Sequence, residues 1–416
     1  MRTLISLSLL LLSAHCCAAG EDWPQFRGPD GQGHSSARGL PITWSETQNI
    51  TWKTPIPGRG WSSPVVQGDQ IWLTTALDDG KSLRAVCVAA QSGKVVHDIE
   101  VFRLAPPPPA VNSKNSYASP TPVVEKDRVW VYYGTFGTAC LDTSSGEVLW
   151  RNEKLKLDHQ VGPGSSPIVW GDLLIVNCDG TDVQFIAALD KRTGQVAWKC
   201  DRTGATNPST DSRKAFSTPL VVDVAGRPQI ISIGAERAYA YDPVDGRELW
   251  WVNIPGFSNV PRPISANGLV YICTGYMKPQ LWAIRPDGSG DVAATHIAWR
   301  AENQAPANPS PVLVGDQLFM VSDQGVGTCL NARSGKELSK ARLGGNFSAS
   351  PVAADGHLYF FSESGEGIVA TADMNMKILA RNHLESRIQA SPAIVDRALL
   401  VRTETHLYRI EDAAAR

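Results

Sequence analysis

The chain has 416 residues, and its 39 Lys and Arg against 41 Asp and Glu give a formal charge of −2 at pH 7. This near-neutral charge gives no reason to expect nucleic acid as a partner. The 36 Gly and 28 Pro suit a turn-rich all-β chain. A chain of 416 residues is too long for one conventional hydrophobic core, unless repeated units each form part of that core.

Residues 1–19 have the features of a secretory signal peptide. An apolar stretch at 4–14 is too short to span a bilayer, and small residues lead to a cleavage position after Ala19. We therefore expect a periplasmic or secreted protein. Lipoprotein anchoring at Cys16 is the alternative, but His15 stands where a lipobox needs a small residue, which favours simple cleavage.

Residues 20–49 form a Gly- and Pro-rich lead-in to the rest of the chain. Trp23, Phe26 and Trp44 are its apolar anchors. We predict that this segment wraps the following domain as irregular coil.

Residues 50–412 contain a repeated sequence pattern. A Ser-x-Pro or x-Ser-Pro tripeptide occurs eight times, each time just before an apolar run, and a period of about 40 to 50 residues is the length of one four-stranded propeller blade. The tripeptides end at Pro64, Pro120, Pro167, Pro219, Pro263, Pro311, Pro351 and Pro392. The pattern predicts an all-β, eight-bladed β-propeller of four-stranded antiparallel blades.

A second pattern, Ala-x-Asp-x-x-Thr-Gly-x-x-x-Trp, has a fixed place in the repeat and is clearest at 188–198. Its Asp, Thr and Gly predict a tight hairpin between the third and fourth strands of a blade. The Trp then falls on the outer strand, where its large apolar surface can dock between blades. The predicted docking residues are Trp52, Trp150, Trp198, Trp250 and Trp299.

The two ends of the repeat region predict how the ring closes. Three short strands, at about 393–395, 398–402 and 406–410, follow the last tripeptide, and no fourth follows them. The segment Ile50–Lys53 resembles an outer strand. We predict that it completes the last blade, because pairing first and last strands removes exposed sheet edges.

The Trp-containing repeat resembles the docking motif of the pyrroloquinoline quinone (PQQ) repeat superfamily, which includes quinoprotein dehydrogenases and BamB-like propellers. The resemblance covers about residues 50–412. The opening Asp22–Pro29 is also similar to the lead-in of secreted PQQ-like propellers of planctomycete bacteria. The resemblance implies the propeller scaffold, with two expectations for function: a binding propeller without catalysis, or an oxidoreductase that uses PQQ and Ca²⁺.

The residues that the resemblance would require for quinoprotein chemistry are not found. The only vicinal cysteine pair is Cys16–Cys17, inside the predicted signal, and no Ca²⁺ ligand set or catalytic Asp can be placed. The segment Asp287–Asp291 lacks the later Glu of a calcium loop, which favours a blade-five hairpin. We expect no catalytic residue and no metal site. PQQ and Ca²⁺ remain the alternative cofactors.

Six cysteines follow the signal, and three of them replace the small Ala of the repeat. Such positions favour small buried hydrophobes over disulfides or metal ligands. A Cys178–Cys200 pair within blade three remains the alternative.

The residues just before each inner strand are expected to meet at one mouth of the channel. They combine aromatic, amide and basic groups, which suit a carbohydrate, an anionic small molecule or an extended peptide. The candidate binding face is Arg59, Trp61, Asn115, Tyr117, Phe216, Asn259, Arg262, Asn308, Phe347, Arg387 and Gln389. The alternative is that the aromatic members simply fill the channel.

Two long connections, 103–116 and 201–215, enter inner strands on the same side. Long loops on a rigid scaffold are common binding elements, and undecorated loops are the alternative. We therefore expect a non-enzymatic, exported propeller that binds a protein or cell-envelope component through this mouth. A PQQ- and Ca²⁺-dependent oxidoreductase and a carbohydrate-binding propeller are the two alternatives.

Overall fold

Eight antiparallel sheets form the blades of an all-β propeller, as the repeat predicted. The computed structural model describes residues 22–204 and 207–413, so the predicted signal at 1–19 lies outside the described part. The first strand, β1, is Ile50–Pro55 and belongs to the last blade.

Blades one to four follow in chain order, from inner strand to outer strand. Blade one is β2 (Val65–Gln67), β3 (Gln70–Leu77), β4 (Ser82–Ala89) and β5 (Val95–Arg103). Blade two is β6 (Val123–Glu125), β7 (Arg128–Tyr132), β8 (Thr138–Asp142) and β9 (Val148–Asn152). Blade three is β10 (Ile168–Trp170), β11 (Leu173–Asp179), β12 (Gln184–Asp190) and β13 (Val196–Asp201). Blade four is β14 (Leu220–Val224), β15 (Arg227–Ile233), β16 (Arg237–Tyr241) and β17 (Glu248–Asn253).

The other four blades repeat this order. Blade five is β18 (Ile264–Ala266), β19 (Leu269–Cys273), β20 (Leu281–Ile284) and β22 (Ile297–Ala301), with a two-residue strand β21 (Gly290–Asp291) between the last two. Blade six is β23 (Val312–Val314), β24 (Gln317–Val321), β25 (Val326–Asn331) and β26 (Glu337–Arg342). Blade seven is β27 (Val352–Ala354), β28 (His357–Phe361), β29 (Glu366–Thr371) and β30 (Ile378–His383). Blade eight is β31 (Ala393–Val395), β32 (Ala398–Arg402) and β33 (His406–Ile410), with β1 outermost. Helical structure in the described residues is limited to three 3₁₀ turns, at Asp78–Gly80, Gly134–Phe136 and Thr210–Arg213.

The ring closes as predicted. Strand β1 pairs antiparallel with β33, with Lys53 opposite Tyr408, and so supplies the outer strand that the C-terminal repeat lacks. The three predicted strands of this blade agree with the observed ones. In blade two the predicted repeat register was wrong. Pro120 and Pro122 both stand just before the apolar run. The inner strand begins at Val123, directly after Thr121-Pro122, and not after Pro120.

Each predicted docking Trp lies on an outer strand and contacts the hairpin of the next blade. The Trp198 Nε1–H donates to the Pro243 carbonyl at 3.1 Å, and its ring covers Gly246. A Cβ at Gly246, where φ is +74°, would lie 2.4 Å from the ring, so a side chain there would have to displace the Trp. Trp52, Trp150 and Trp299 make the same contacts with Gly93, Gly194 and Gly335.

Trp250 differs from the other docking residues because it is completely buried. Strand β21 adds a fifth, parallel strand beside β17, with Gly290 opposite Trp250. The Asp287–Asp291 segment that contains it belongs to the long connection between the third and fourth strands of blade five. Among the described residues, no group of three or more His, Cys, Asp or Glu side chains could hold a metal ion.

Apolar side chains between neighbouring blades form the core. The six cysteines at 87, 140, 178, 200, 273 and 329 are free thiols, and burial raises the pKa of Cys87 to about 12. The described part of the chain contains no helix long and apolar enough to cross a membrane.

Candidate binding site in the central channel

A belt of hydroxyl groups encircles the channel at the start of the inner strands. In seven blades a Ser or Thr directly precedes the strand-initiating Pro, and each of these hydroxyl oxygens accepts a hydrogen bond from the backbone N–H at the same position in the preceding blade. The bonds are Ser63 to Thr121 (2.9 Å), Thr121 to Ser166 (2.9 Å), Ser166 to Thr218 (3.0 Å), Arg262 to Ser310 (2.9 Å), Ser310 to Ser350 (2.9 Å), Ser350 to Ser391 (2.9 Å) and Ser391 to Ser63 (3.1 Å).

Blade five is the exception in this hydroxyl belt, because Arg262 stands where the others have Ser or Thr. Its Nε–H donates to the Pro219 carbonyl of blade four at 3.1 Å, which links the two blades where the hydroxyl is missing. Its Nη1–H donates to the Phe26 carbonyl at 2.5 Å, and its Nη2–H donates to Gln25 Oε1 at 3.1 Å. This guanidinium therefore attaches the lead-in to the ring.

The lead-in closes one end of the channel, which we call the closed end. Trp23 exchanges two backbone hydrogen bonds with Val66 of an inner strand, at 2.9 and 2.8 Å. Arg27 donates to the Pro311 and Pro351 carbonyls of blades six and seven, at 2.6 and 3.2 Å. The lead-in is irregular coil because its hydrogen bonds go to several blades in turn and not to one strand.

Above the closed end the channel is a cavity of about 810 Å³. Phe26 of the lead-in contributes to its lining, and all seven belt hydroxyl residues line its wall. The connections that enter inner strands surround the opposite end, the open mouth, with Lys114 from 103–116 and Lys214 from 201–215. Residues 205 and 206 of the second connection lie outside the described part.

Two exposed apolar side chains project at the open mouth. Tyr276 is 57% exposed and Met277 is 76% exposed, in the loop between the second and third strands of blade five. The Tyr276 ring contacts the Phe257 ring edge to face, with centroids 5.9 Å apart. Large apolar groups that remain in water at the rim of a polar cavity are typical of binding surfaces.

Several members of the predicted binding face line this cavity. Trp61, Asn115, Phe216, Asn308 and Gln389 do so, and the Arg387 guanidinium lies 5.8 Å from the centre of the Trp61 ring. The amides are partly used by the protein itself. Asn115 donates to the Val161 carbonyl at 3.0 Å, and Asn308 donates to Asp323.

Other predicted members lie elsewhere, which corrects the predicted ring. Phe347 is fully buried in the core between blades six and seven, and Asn259 is fully buried and donates to the Gly234 carbonyl at 2.5 Å. Arg262 holds the lead-in at the closed end. Tyr117 and Arg59 hold the 103–116 connection through hydrogen bonds to the Pro109 and Ser113 carbonyls, both at 2.9 Å. Sequence position placed these residues before inner strands but could not give the direction of each side chain.

Sequence reasoning missed the hydroxyl belt, although its signal was present. The Ser of the Ser-Pro repeat was used only to mark the period, yet the repeated residue is the one that connects the blades. Lys214, Tyr276 and Met277 carry no repeat signal. Their place at the mouth depends on how the connections fold over the channel.

Comparison with known proteins identifies the family. The family profile described as outer membrane protein assembly factor BamB matches residues 86–326 and 288–403, which is more than half of the chain. The chain belongs to the BamB family. No curated protein matches the sequence.

Solved structures show that this BamB-family chain shares its fold with proteins of different activity. BamB from Moraxella catarrhalis is 13% identical with a TM-score of 0.61, over 87% of this chain and 99% of that one. A europium-containing methanol dehydrogenase is 9% identical with a TM-score of 0.69, over 93% and 90%. A quinohemoprotein alcohol dehydrogenase from Pseudomonas putida is 10% identical with a TM-score of 0.64, over 94% and 80%. At these identities the likeness concerns the fold alone.

The described residues of the cavity do not fit the calcium ion of the dehydrogenase alternative. Ca²⁺ takes six to eight oxygen ligands, several of them carboxylates. Among the described lining residues the only carboxylate is Asp323, and it already accepts hydrogen bonds from the Ala307 N–H at 2.6 Å and from Asn308. The vicinal cysteine pair lies outside the described residues, in the predicted signal.

Proposed function

We propose that this BamB-family propeller is a non-enzymatic, exported scaffold that binds a protein or cell-envelope component at the open mouth. The observation that carries the proposal is the asymmetry of the channel. One end is closed by the chain's own lead-in, and the other opens with Tyr276 and Met277 exposed beside a wall rich in hydroxyl and amide groups. A partner can enter from one side only.

The chemistry of the wall supports binding over catalysis. General acid–base or nucleophilic catalysis needs a reactive group and a partner within hydrogen-bond reach. The lining has Lys114 and Lys214, and both are engaged. Lys114 pairs with Glu363 at 3.0 Å, and Lys214 donates to Gln160 and to the Asp211 carbonyl. Hydroxyls, amides and aromatic rings predominate, which are groups that bind and orient.

Site-specific photocrosslinking tests the proposal in cells that export the protein. A photoreactive amino acid at Met277 should give an adduct of discrete mass, because this side chain is exposed at the rim. The control is the same residue at Val244, which is 69% exposed in a hairpin at the opposite end of blade four. Equal adducts at both positions, or none at Met277, would contradict the proposal.

A further inference from the structure

The hydroxyl belt has donors that the protein does not use. Each of its seven oxygens accepts a backbone N–H from the preceding blade, and none of the seven hydroxyls donates to another group among the described residues. All seven residues line the cavity, and they are 1–5% exposed. Because a hydroxyl carries one donor, seven O–H groups remain available to the cavity at its closed end.

Two positive charges lie directly beneath this belt without an ion-pair partner. Arg27 and Arg262 are 1% and 2% exposed, and their guanidiniums donate only to carbonyl and amide oxygens. The nearest acid, Asp30, accepts instead from the Gln32 N–H at 2.8 Å and contacts His34 at 3.1 Å. Carbonyl dipoles orient the guanidiniums, but they do not neutralise them.

The electrostatics agree with this geometry. Burial lowers the pKa of Arg262 to about 9 and that of Arg27 to about 10, and this effect exceeds the opposing attraction of the nearby Asp30 carboxylate. A buried charge in a low-dielectric wall acts over a longer distance than an exposed one, because solvent screens it less. The closed end therefore has a positive potential and a surrounding set of donors.

We propose that the closed end of the channel binds a carboxylate, through the belt hydroxyls and the field of Arg27 and Arg262. This inference rests on the proposed function and gives it a ligand chemistry: the free C-terminal carboxylate of an extended partner segment that enters at the open mouth. A hydroxyl belt alone would suit any polar group. The two guanidiniums, which form no ion pair with a described residue, favour an anion, and hydrogen bonds from the belt hydroxyls to a charged acceptor are about twice as strong as those to a neutral one.

The first experiment compares N-acetyl-pentaalanine with a free C-terminal carboxylate and the same peptide with a C-terminal amide. Calorimetric titration of the full mature protein at low ionic strength should give a dissociation constant at least tenfold lower for the acid. Equal affinities for the acid and the amide peptide would overturn the carboxylate site. The site would also be overturned if neither peptide nor sodium acetate bound. Competition by acetate as strong as that by the acid peptide would support the site and identify a small free carboxylate as its source.

Matched variants test the belt itself. Thr218→Val removes a hydroxyl at nearly constant volume, whereas Thr218→Ser keeps it. The preference for acid over amide should fall at least threefold in the first variant and persist in the second; an unchanged preference in both would overturn the role of the belt. If Thr218→Val does not fold, the comparison of acid and amide peptides on the unaltered protein still tests the carboxylate site.

Crosslinking at Met277 distinguishes the two proposals. Adducts at Met277 without a preference for the acid peptide would leave the scaffold function standing and overturn only the carboxylate site.

Discussion

The closed end and the open mouth of the channel are built from different interactions. At the closed end the lead-in makes backbone hydrogen bonds to several blades, the guanidiniums of Arg27 and Arg262 donate to carbonyl oxygens of the chain, and the docking tryptophans cover the hairpins. At the mouth, the loop between β19 and β20 carries the exposed Tyr276 and Met277, and the connection 103–116 carries the exposed Lys114. The difference separates the contacts that stabilise the ring from the surface that we propose for binding, along one axis of the same fold.

The largest expected loss of stability follows from removal of a docking tryptophan. Trp250→Ala should lower the free energy of unfolding by about 3–5 kcal/mol, because removal of a fully buried indole creates a cavity. The Pro286 carbonyl and Gln229 also lose their hydrogen-bond donor. Trp198→Ala should cost about half as much, since that ring is only partly buried. Chemical denaturation measures both. Equal losses would show that the extra strand β21 does not add to the docking.

Arg262→Ala should have the next largest effect, a loss of about 3 kcal/mol, because three acceptors lose a charged donor. It should also release the lead-in, so that limited proteolysis cleaves within 22–36 faster than in the unaltered protein. The control is Arg333→Ala, whose side chain is 60% exposed beside Asp316, and which should change little. A lead-in that stays protected in Arg262→Ala would mean that the other contacts suffice to hold it.

His159 gives the mouth a pH dependence. Burial lowers its pKa to about 4, and its Nε2 accepts from the Thr135 N–H at 2.9 Å, so the folded state needs the neutral ring. The unfolded ring has a pKa near 6.5, so this stabilisation is complete above pH 6.5 and falls as pH decreases towards 4. We expect a loss of about 1–2 kcal/mol over this window.

Denaturant midpoints between pH 7 and pH 4.5 measure the contribution of His159. His159→Gln keeps an acceptor that does not titrate in this range and should remove this part of the pH dependence. An unchanged profile in His159→Gln would assign the dependence to other groups.

The smallest effect on stability is expected at the rim. Tyr276→Ser and Met277→Ser should each change the free energy of unfolding by less than about 0.5 kcal/mol, because both side chains are exposed. The same substitutions should abolish partner adducts from a photoreactive residue at the neighbouring position 278. A large loss of stability would mean that these side chains pack in solution and are not a free binding surface.

The residue pattern was sufficient to predict the architecture. The Ser-Pro period and the Asp-x-x-Thr-Gly-x-x-x-Trp spacing predicted eight blades, and the strand count at the two ends predicted ring closure through Ile50–Lys53, which the structure extends to Pro55. Turns and strand ends depend on short-range backbone chemistry, which residue types indicate directly. Blade two shows the limit of this reasoning. Pro120 and Pro122 are both chemically suitable for the position before an inner strand, and only the observed strand register identifies Pro122 as that residue.

Which end is closed, and which side chains meet in the channel, became clear only from the folded structure. Phe347 and Asn308 occupy related positions before inner strands, yet one is buried in the core and the other lines the cavity. Arg27 and Arg262 are 235 residues apart and lie together beneath the belt. The physical reason is that the direction of a side chain and the path of a coil depend on packing between distant segments, which no local spacing encodes.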